Sequence, residues 1–248
     1  MLETQGLSKS FGSLVAVNNV SLRLEKGERR VVLGPNGAGK TTLFNLLAGE
    51  LRPTSGHMRI GGRDVSALPV DARARLGLAR SYQKNNLFNE LTVRENLALA
   101  VATSTCASAW LLTDTLADRG IADAIAEIAA LTGLSDLLSM RVERISYGAR
   151  RQLEFALALA TRPRILLMDE PTSGIGPEMM AAFHGLLQSL PRDLTILIIE
   201  HDMDLAFSIA DRITVMNYGE VVFEGDVAET RASRLVNDIY LGGSLAHA

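Results

Sequence analysis

The sequence predicts an α/β fold in three zones, and three observations carry that reading. Apolar strand-like segments alternate with a helical pattern over residues 165–216, which implies a parallel sheet. The first sixty residues or so are β-rich, with alternating segments set between Gly-containing turns. Residues 91–160 are rich in Ala and Leu and poor in β-branched runs, so the middle zone is expected to be mainly helical.

The elements follow in order. Val20, Leu22 and Leu24 alternate with Ser21, Arg23 and Glu25, the period of a half-buried strand. Glu25-Lys26-Gly27-Glu28 is turn chemistry. Arg30-Val31-Val32-Leu33 then runs into Gly34 as a strand buried on both faces would. A helix is expected from about Lys40, with Leu43, Phe44, Leu46 and Leu47 turned inward and a stop near Gly49. Gly61-Gly62-Arg63, between two strand-like segments, signals a hairpin. Ile121, Ile125, Ile128 and Ala129 fall at helical spacing. Residues 165–168, 195–199 and 212–216 are expected as strands. A helix carrying Met179, Phe183, Leu186, Leu187 and Leu190 lies between the first two, ended by Pro191. Asn217-Tyr218-Gly219-Glu220 then turns a last hairpin.

Composition bounds the function. The 248 residues are 47% hydrophobic and 21% charged, ordinary globular usage that argues against disorder. Cys106 is the only cysteine, which excludes an internal disulfide framework and a Cys-only metal cluster. Net charge is −3, from 25 Lys+Arg against 28 Asp+Glu, so no nucleic-acid partner is expected. The first five residues lack a basic segment followed by an apolar run, so no secretory signal is expected and the chain should stay in the cytosol. The longest uncharged stretch, between Glu95 and Asp114, falls short of the roughly 20 apolar residues of a membrane helix. Thr103, Ser104, Thr105 and Ser108 also interrupt it, so any membrane role should be peripheral. Mean hydropathy is +0.15, slightly high for a free enzyme. The runs containing Arg73, Arg75 and Arg80, and Arg141, Arg144, Arg150 and Arg151, are expected to form solvated faces.

Gly34-Pro35-Asn36-Gly37-Ala38-Gly39-Lys40-Thr41 fits the P-loop pattern between a buried strand and an amphipathic helix. Glycines let backbone N–H groups turn inward around a phosphate, and the helix N-terminus adds positive potential. Lys40 would place its charge on the β- and γ-phosphates, and Thr41 would offer a hydroxyl to Mg²⁺. This predicts a P-loop NTPase core. No Asn is followed by Lys, so the guanine-reading motif of GTPases is absent; kinases, helicases and transport ATPases stay open.

Ile165-Leu166-Leu167-Met168-Asp169-Glu170 delivers two acids at the end of a buried strand, where ligands bind in open α/β sheets. Asp169 should help to hold Mg²⁺, and Glu170 suits polarising the water that attacks the γ-phosphate. Ile198-Ile199-Glu200-His201-Asp202 repeats the arrangement, with His201 at a strand end.

These motifs, in this order, resemble an ATP-binding cassette (ABC) ATPase over nearly the whole chain. The set adds Tyr82-Gln83 and a Ser146-Tyr147-Gly148 signature to the P-loop, Asp169-Glu170 and His201. The resemblance implies a single ABC ATPase domain over 1–248. In it a P-loop core carries an antiparallel β subdomain and an inserted helical subdomain at about 84–160. It further implies ATP and Mg²⁺ as cofactors and a set of roles. Phe11 stacks on adenine; Asn36, Gly37, Gly39 and Thr42 join the phosphate site. Gln83 reaches Mg²⁺ and the attacking water; Ser146, Tyr147 and Gly148 cap the γ-phosphate of a partner subunit; His201 is the switch histidine. Two positions depart from the family pattern: Ala149 where the signature continues with Gln, and Gly176 where an Asp is usual.

More narrowly, the chain is similar to ATPase subunits of branched-chain amino acid importers. Phe11-Gly12-Ser13-Leu14-Val15-Ala16-Val17-Asn18, residues 37–45, 74–83 and 86–93, and the tail Ile239-Tyr240-Leu241-Gly242 carry this. That resemblance implies a second ABC ATPase as homo- or heterodimer partner. It also implies two transmembrane permeases, a solute-binding protein acting indirectly, and a location on the cytoplasmic face of the membrane. Importers of urea or short amides use similar subunits, and a non-transport ABC ATPase or a regulatory ATP-binding module are the competing readings.

Overall fold

The computed structural model describes residues 1–81, 87–105, 118–173 and 176–242. In chain order the strands are β1 (Leu2–Phe11), β2 (Leu14–Leu24), β3 (Arg29–Leu33), β4 (Ser55–Ile60), β5 (Arg63–Asp64), β6 (Leu78–Ser81), β7 (Ile165–Asp169), β8 (Thr195–Ile199), β9 (Arg212–Asn217) and β10 (Glu220–Gly225). The α-helices are α1 (Lys40–Ala48), α2 (Val70–Ala74), α3 (Val93–Thr105), α4 (Arg119–Leu131), α5 (Tyr147–Ala160), α6 (Pro177–Ser189), α7 (Met203–Ile209), α8 (Val227–Ala232) and α9 (Arg234–Gly242). They divide into two compact units. The first is built from Met1–Leu78, Ile165–Pro171 and the described residues from Pro191 on; the second from the described residues of Ala79–Arg164 and Thr172–Leu190.

The first unit holds two sheets. β2-β1-β4-β5 is antiparallel, with Leu2 opposite both Leu24 and Ile60. Register shifts between Thr4 and Leu7 interrupt the β1–β2 ladder, and the buried Thr4 hydroxyl fills the gap. It donates to Val20 O (3.1 Å) and accepts from Leu22 N–H (2.8 Å). The other sheet runs β10-β9-β3-β8-β7, parallel except for the β10 edge. Its central strand pairs Val31 with Ile198 on one side and Ile213 on the other. Leu22, Leu24, Leu43, Phe44, Leu47, Met58, Leu167 and Ile199 belong to one buried cluster, so both sheets and α1 share a core. Full burial of each such side chain contributes about 1.5–3 kcal/mol.

Arg30 and Arg73 are two of the buried arginines of this unit. At the start of β3, Arg30 meets Glu28 and Glu224, each at 2.6 Å. Arg73 departs from the solvated face expected of its charge run: it is 1% exposed. Its guanidinium donates to Leu46 O and Leu47 O at the end of α1 (2.5 and 2.8 Å), to Leu68 O and to Ser66 O. Leu46 O also accepts from Gly49 N–H (3.2 Å), and both carbonyls lie in the last turn of α1, so the arginine reaching them from α2 meets the negative end of that helix. Arg75, by contrast, is exposed beside Asp71.

The second unit packs α3, α4 and α5 through Val93, Leu97, Val101, Ile125, Ala129, Leu153 and Ala156. α3 opens with a capping box: Thr92 N–H donates to Glu95 Oε2 (2.7 Å) and Glu95 N–H to Thr92 Oγ1 (3.2 Å). Buried Asn96 pins the preceding loop, accepting from Phe88 N–H and donating to Phe88 O and Thr92 O. Phe155 of α5 meets Phe183 of α6 edge to face, centroids 5.7 Å apart. Among the described residues, no helix is long and apolar enough to cross a membrane.

Candidate functional site

The P-loop leaves the end of β3 at Gly34, whose φ is 153°. A Cβ there would lie 2.3 Å from Met216 O, so only glycine lets the loop pass β9 this closely. Gly39, at φ 94°, caps α1 and would likewise collide with Ala16 O at 2.3 Å. The β9–β10 turn braces the loop: Gly219 N–H donates to Ala38 O (3.0 Å) and Asn18 N–H to Gly219 O (2.8 Å). Asn36 and Gly37 are exposed at the loop tip. No side chain caps the N-terminus of α1, so its first N–H groups are left to an anion.

Lys40 is only 6% exposed, and its Nζ donates to Gly34 O (2.6 Å) and Pro35 O (2.9 Å). Burial lowers its pKa, while Glu170 and then Asp169 pull it back up. Thr41 is exposed and Thr42 half-buried on the same first turn.

The parallel register brings the acids to the same edge. Asp169 ends β7 opposite Ile199 of β8 and is buried. Glu170 follows with φ 44°, a left-handed conformation costly for a non-glycine residue, and its N–H donates to Ile199 O (3.0 Å). His201 projects from the end of β8 with its side chain 58% exposed. Its Nδ1 lies 4.0 Å from Glu170 Oε1 and 3.8 Å from Glu200 Oε2. Lys40, Asp169, Glu170 and His201 therefore share one edge of one sheet, as three strand ends in register require. Glu200 is the member that sequence reasoning missed. Its signal was present, since an acid follows the apolar run of β8 directly, but it read only as a polar tip.

Phe11 closes β1, 47% exposed, with Lys9 Nζ 5.2 Å from its ring centroid. Leu14 and Val15 are exposed on the strand that follows. At the tail, the Tyr240 hydroxyl is buried by the Gly34 backbone, and burial pushes its pKa up to about 12.

Other expected site residues are not part of this group. Gln83 lies outside the described residues. Ser146, Tyr147 and Gly148 belong to the second unit. There Ser146 is the N-cap of α5, its Oγ accepting from Ala149 N–H (3.2 Å). Gly148 is buried; Tyr147 is 57% exposed, with the Arg151 guanidinium 5.5 Å from its ring centroid. Ala149, at the position of the usual Gln, is buried, and Gly176 caps α6 without a side chain.

The residues present fit a nucleoside triphosphate. The α1 start has no side-chain cap, a buried lysine rests on loop carbonyls, and an aromatic ring is exposed, groups of the chemistry that a phosphate, its charge and a base would meet. Among the described residues, no group of three or more His, Cys, Asp or Glu could hold a metal ion by itself. Thr41 at the start of α1 and Asp169 at the end of β7 are oxygen donors of the kind that Mg²⁺ takes alongside a substrate's phosphates.

The chain matches the ABC transporter family over residues 17–173. It is 38% identical over 250 residues to the high-affinity branched-chain amino acid transport ATP-binding protein BraF of Pseudomonas aeruginosa, covering 98% of each chain. It is 39% identical over 249 residues to LivG of Salmonella typhimurium, again 98% of each. A crystal structure of the ADP conformation of MJ1267, an ATP-binding cassette of an ABC transporter, superposes with a TM-score of 0.84 at 27% identity, covering 98% of both chains. A nucleotide-free ATP-binding cassette from an ABC transporter gives 0.82 at 26% identity, covering 97% of this chain and 98% of the other. The chain belongs to the ABC transporter family and is one of its ATP-binding ATPase subunits.

Proposed function

We propose that this chain is the ATP-hydrolysing motor of an importer for branched-chain or related amino acids. The grouping of Lys40, Asp169, Glu170 and His201 at one sheet edge carries the hydrolytic part of this reading. The similarity to BraF and LivG along nearly the full chain supports the solute class.

Each residue has a role in this account. Phe11 stacks on the adenine ring. The backbone of Asn36, Gly37 and Gly39, with the start of α1 at Lys40, Thr41 and Thr42, cradles the phosphates. Lys40 leaves its loop carbonyls for the β- and γ-phosphates. Thr41, Asp169 and Gln83 hold Mg²⁺, directly or through water; the ion supplies charge neutralisation at the phosphates. Glu170 accepts a proton from the attacking water as its oxygen bonds to the γ-phosphorus and the β–γ bridge bond breaks. His201 faces the γ-phosphate.

Two ATPase subunits close head to tail, and Ser146, Tyr147 and Gly148 of each complete the partner's site. Closure drives two transmembrane permeases at the cytoplasmic face of the membrane, and a solute-binding protein delivers the cargo from the other side. The test is ATP turnover in liposomes holding the chain, its second ATPase, both permeases and the binding protein. Leucine-loaded binding protein should raise turnover several-fold above the unloaded protein. Stimulation by urea or a short amide, with none by leucine, would reassign the cargo.

A further inference from the structure

The hairpin that carries Phe11 also sets a lysine against its ring. Lys9 and Phe11 lie two residues apart on β1, so their side chains leave the same face. Lys9 Nζ sits over the Phe11 ring, 5.2 Å from its centroid, and donates to Arg52 O (2.9 Å). Arg52 lies in the connection between α1 and β4, so the ammonium is tied down from outside the hairpin. The ring remains 47% exposed. The partner strand reaches the P-loop at the same point. Lys9 pairs with Val17 and Ser10 with Val15, which leaves Ala16 as the extra residue of a bulge in β2. Ala16 O is the atom that a Cβ on Gly39, the N-cap of α1, would meet at 2.3 Å. One hairpin therefore holds the cation, the exposed ring and a carbonyl packed against the phosphate loop.

We propose that Lys9 is a positioning residue for Phe11: its ammonium, seated on one face of the ring, holds the ring plane so that the adenine stacks on the other. An aromatic face attracts a cation through its quadrupole. An exposed ring that no neighbour holds turns about its side-chain torsions, and a base that stacks on it must stop that motion at a cost in affinity. A ring already held by Lys9 has lost that freedom before the nucleotide arrives. The hydrogen bond to Arg52 O keeps the flexible lysine stem in place over the ring. The proposal rests on the assignment of Phe11 to the adenine.

The test is a double-mutant cycle on nucleotide affinity, measured by calorimetry on the full chain with ATP and with ADP in the presence of Mg²⁺. The melting temperature of every variant is measured alongside. Lys9→Met keeps most of the stem and removes the charge. It should weaken ATP and ADP alike, by about threefold, the size of an exposed cation–π contact. Lys9→Arg keeps a cation over the ring and should stay within about 1.5-fold of the parent. In a Phe11→Leu background, Lys9→Met should change ATP affinity by less than about 1.5-fold, because the coupling runs through the ring. An unchanged affinity in Lys9→Met, an equal loss with and without the ring, or no rescue by Lys9→Arg overturns the proposal. So does a loss confined to ATP, which a direct contact with the γ-phosphate would give. Parental ATP affinity in Phe11→Leu would instead remove the adenine-stacking reading, and the proposal with it.

Discussion

Arg73→Met removes a buried charge from the far end of the P-loop helix. The guanidinium is 1% exposed and bonds four backbone carbonyls, those of Leu46, Leu47, Leu68 and Ser66. Methionine fills much of the volume and donates to none of them. Leu46 O keeps the Gly49 N–H (3.2 Å), whereas a buried carbonyl left without a donor costs about 1–3 kcal/mol. The negative end of the helix dipole loses its cation as well, worth up to about 2 kcal/mol in a buried setting. Against this, methionine recovers the desolvation that pushes the Arg73 pKa down to about 10. The net expectation is a loss of about 3–5 kcal/mol, the range seen when one partner of a buried charged contact is removed. For a chain of this size that lowers Tm by about 10 °C. Arg73→Lys keeps the charge but not the fork and should lose about half as much. Thermal melts followed by circular dichroism at 222 nm, with urea titrations alongside, measure both. A loss under about 1 kcal/mol in Arg73→Met would refute the assignment of Arg73 as the cap of α1.

Other perturbations test other parts of the structure. Asn96→Leu takes the partner of the Phe88 N–H and one of two donors from Phe88 O and Thr92 O, which keep the Leu91 and Asn96 backbone N–H groups, and should cost about 1–3 kcal/mol in urea unfolding. Thr4→Val keeps the shape of the β1–β2 irregularity but strands Val20 O and Leu22 N–H, for an expected loss of about 1–2 kcal/mol. Gly39→Ala should abolish nucleotide binding in calorimetry, because its Cβ would sit 2.3 Å from Ala16 O at a left-handed position. Chelation of Mg²⁺ by EDTA should stop turnover, and added Mg²⁺ should restore it, as phosphate-bound metal requires.

Much of this structure was legible because periodicity reports burial. Leu43, Phe44, Leu46 and Leu47 gave α1 its inner side, and all four are in the core. The apolar runs of β3, β7 and β8 are buried throughout, as strands covered on both faces must be. The site followed, since three parallel strands in register end at one edge and their next residues meet there. Arg73 was not legible, because a charge run carries no mark of the one member that meets helix-end carbonyls from another element. Glu200 was hidden for a related reason. That it turns inward under His201 depends on Val32 and on the β3–β8 register, a tertiary fact. The capping box at Thr92 and Glu95 was present in the sequence as a threonine and a glutamate three residues apart, ahead of an apolar helix.

Glu170→Gln tests the central reading most directly. The substitution keeps the size of the strand-tip side chain and removes the carboxylate that would accept the proton from water. ATP affinity measured by calorimetry should stay within about twofold of the parent, and the nucleotide-bound dimer should be longer-lived, while kcat falls by about a hundredfold or more. Turnover that survives the substitution at the parental rate would contradict the assignment of hydrolysis to this carboxylate.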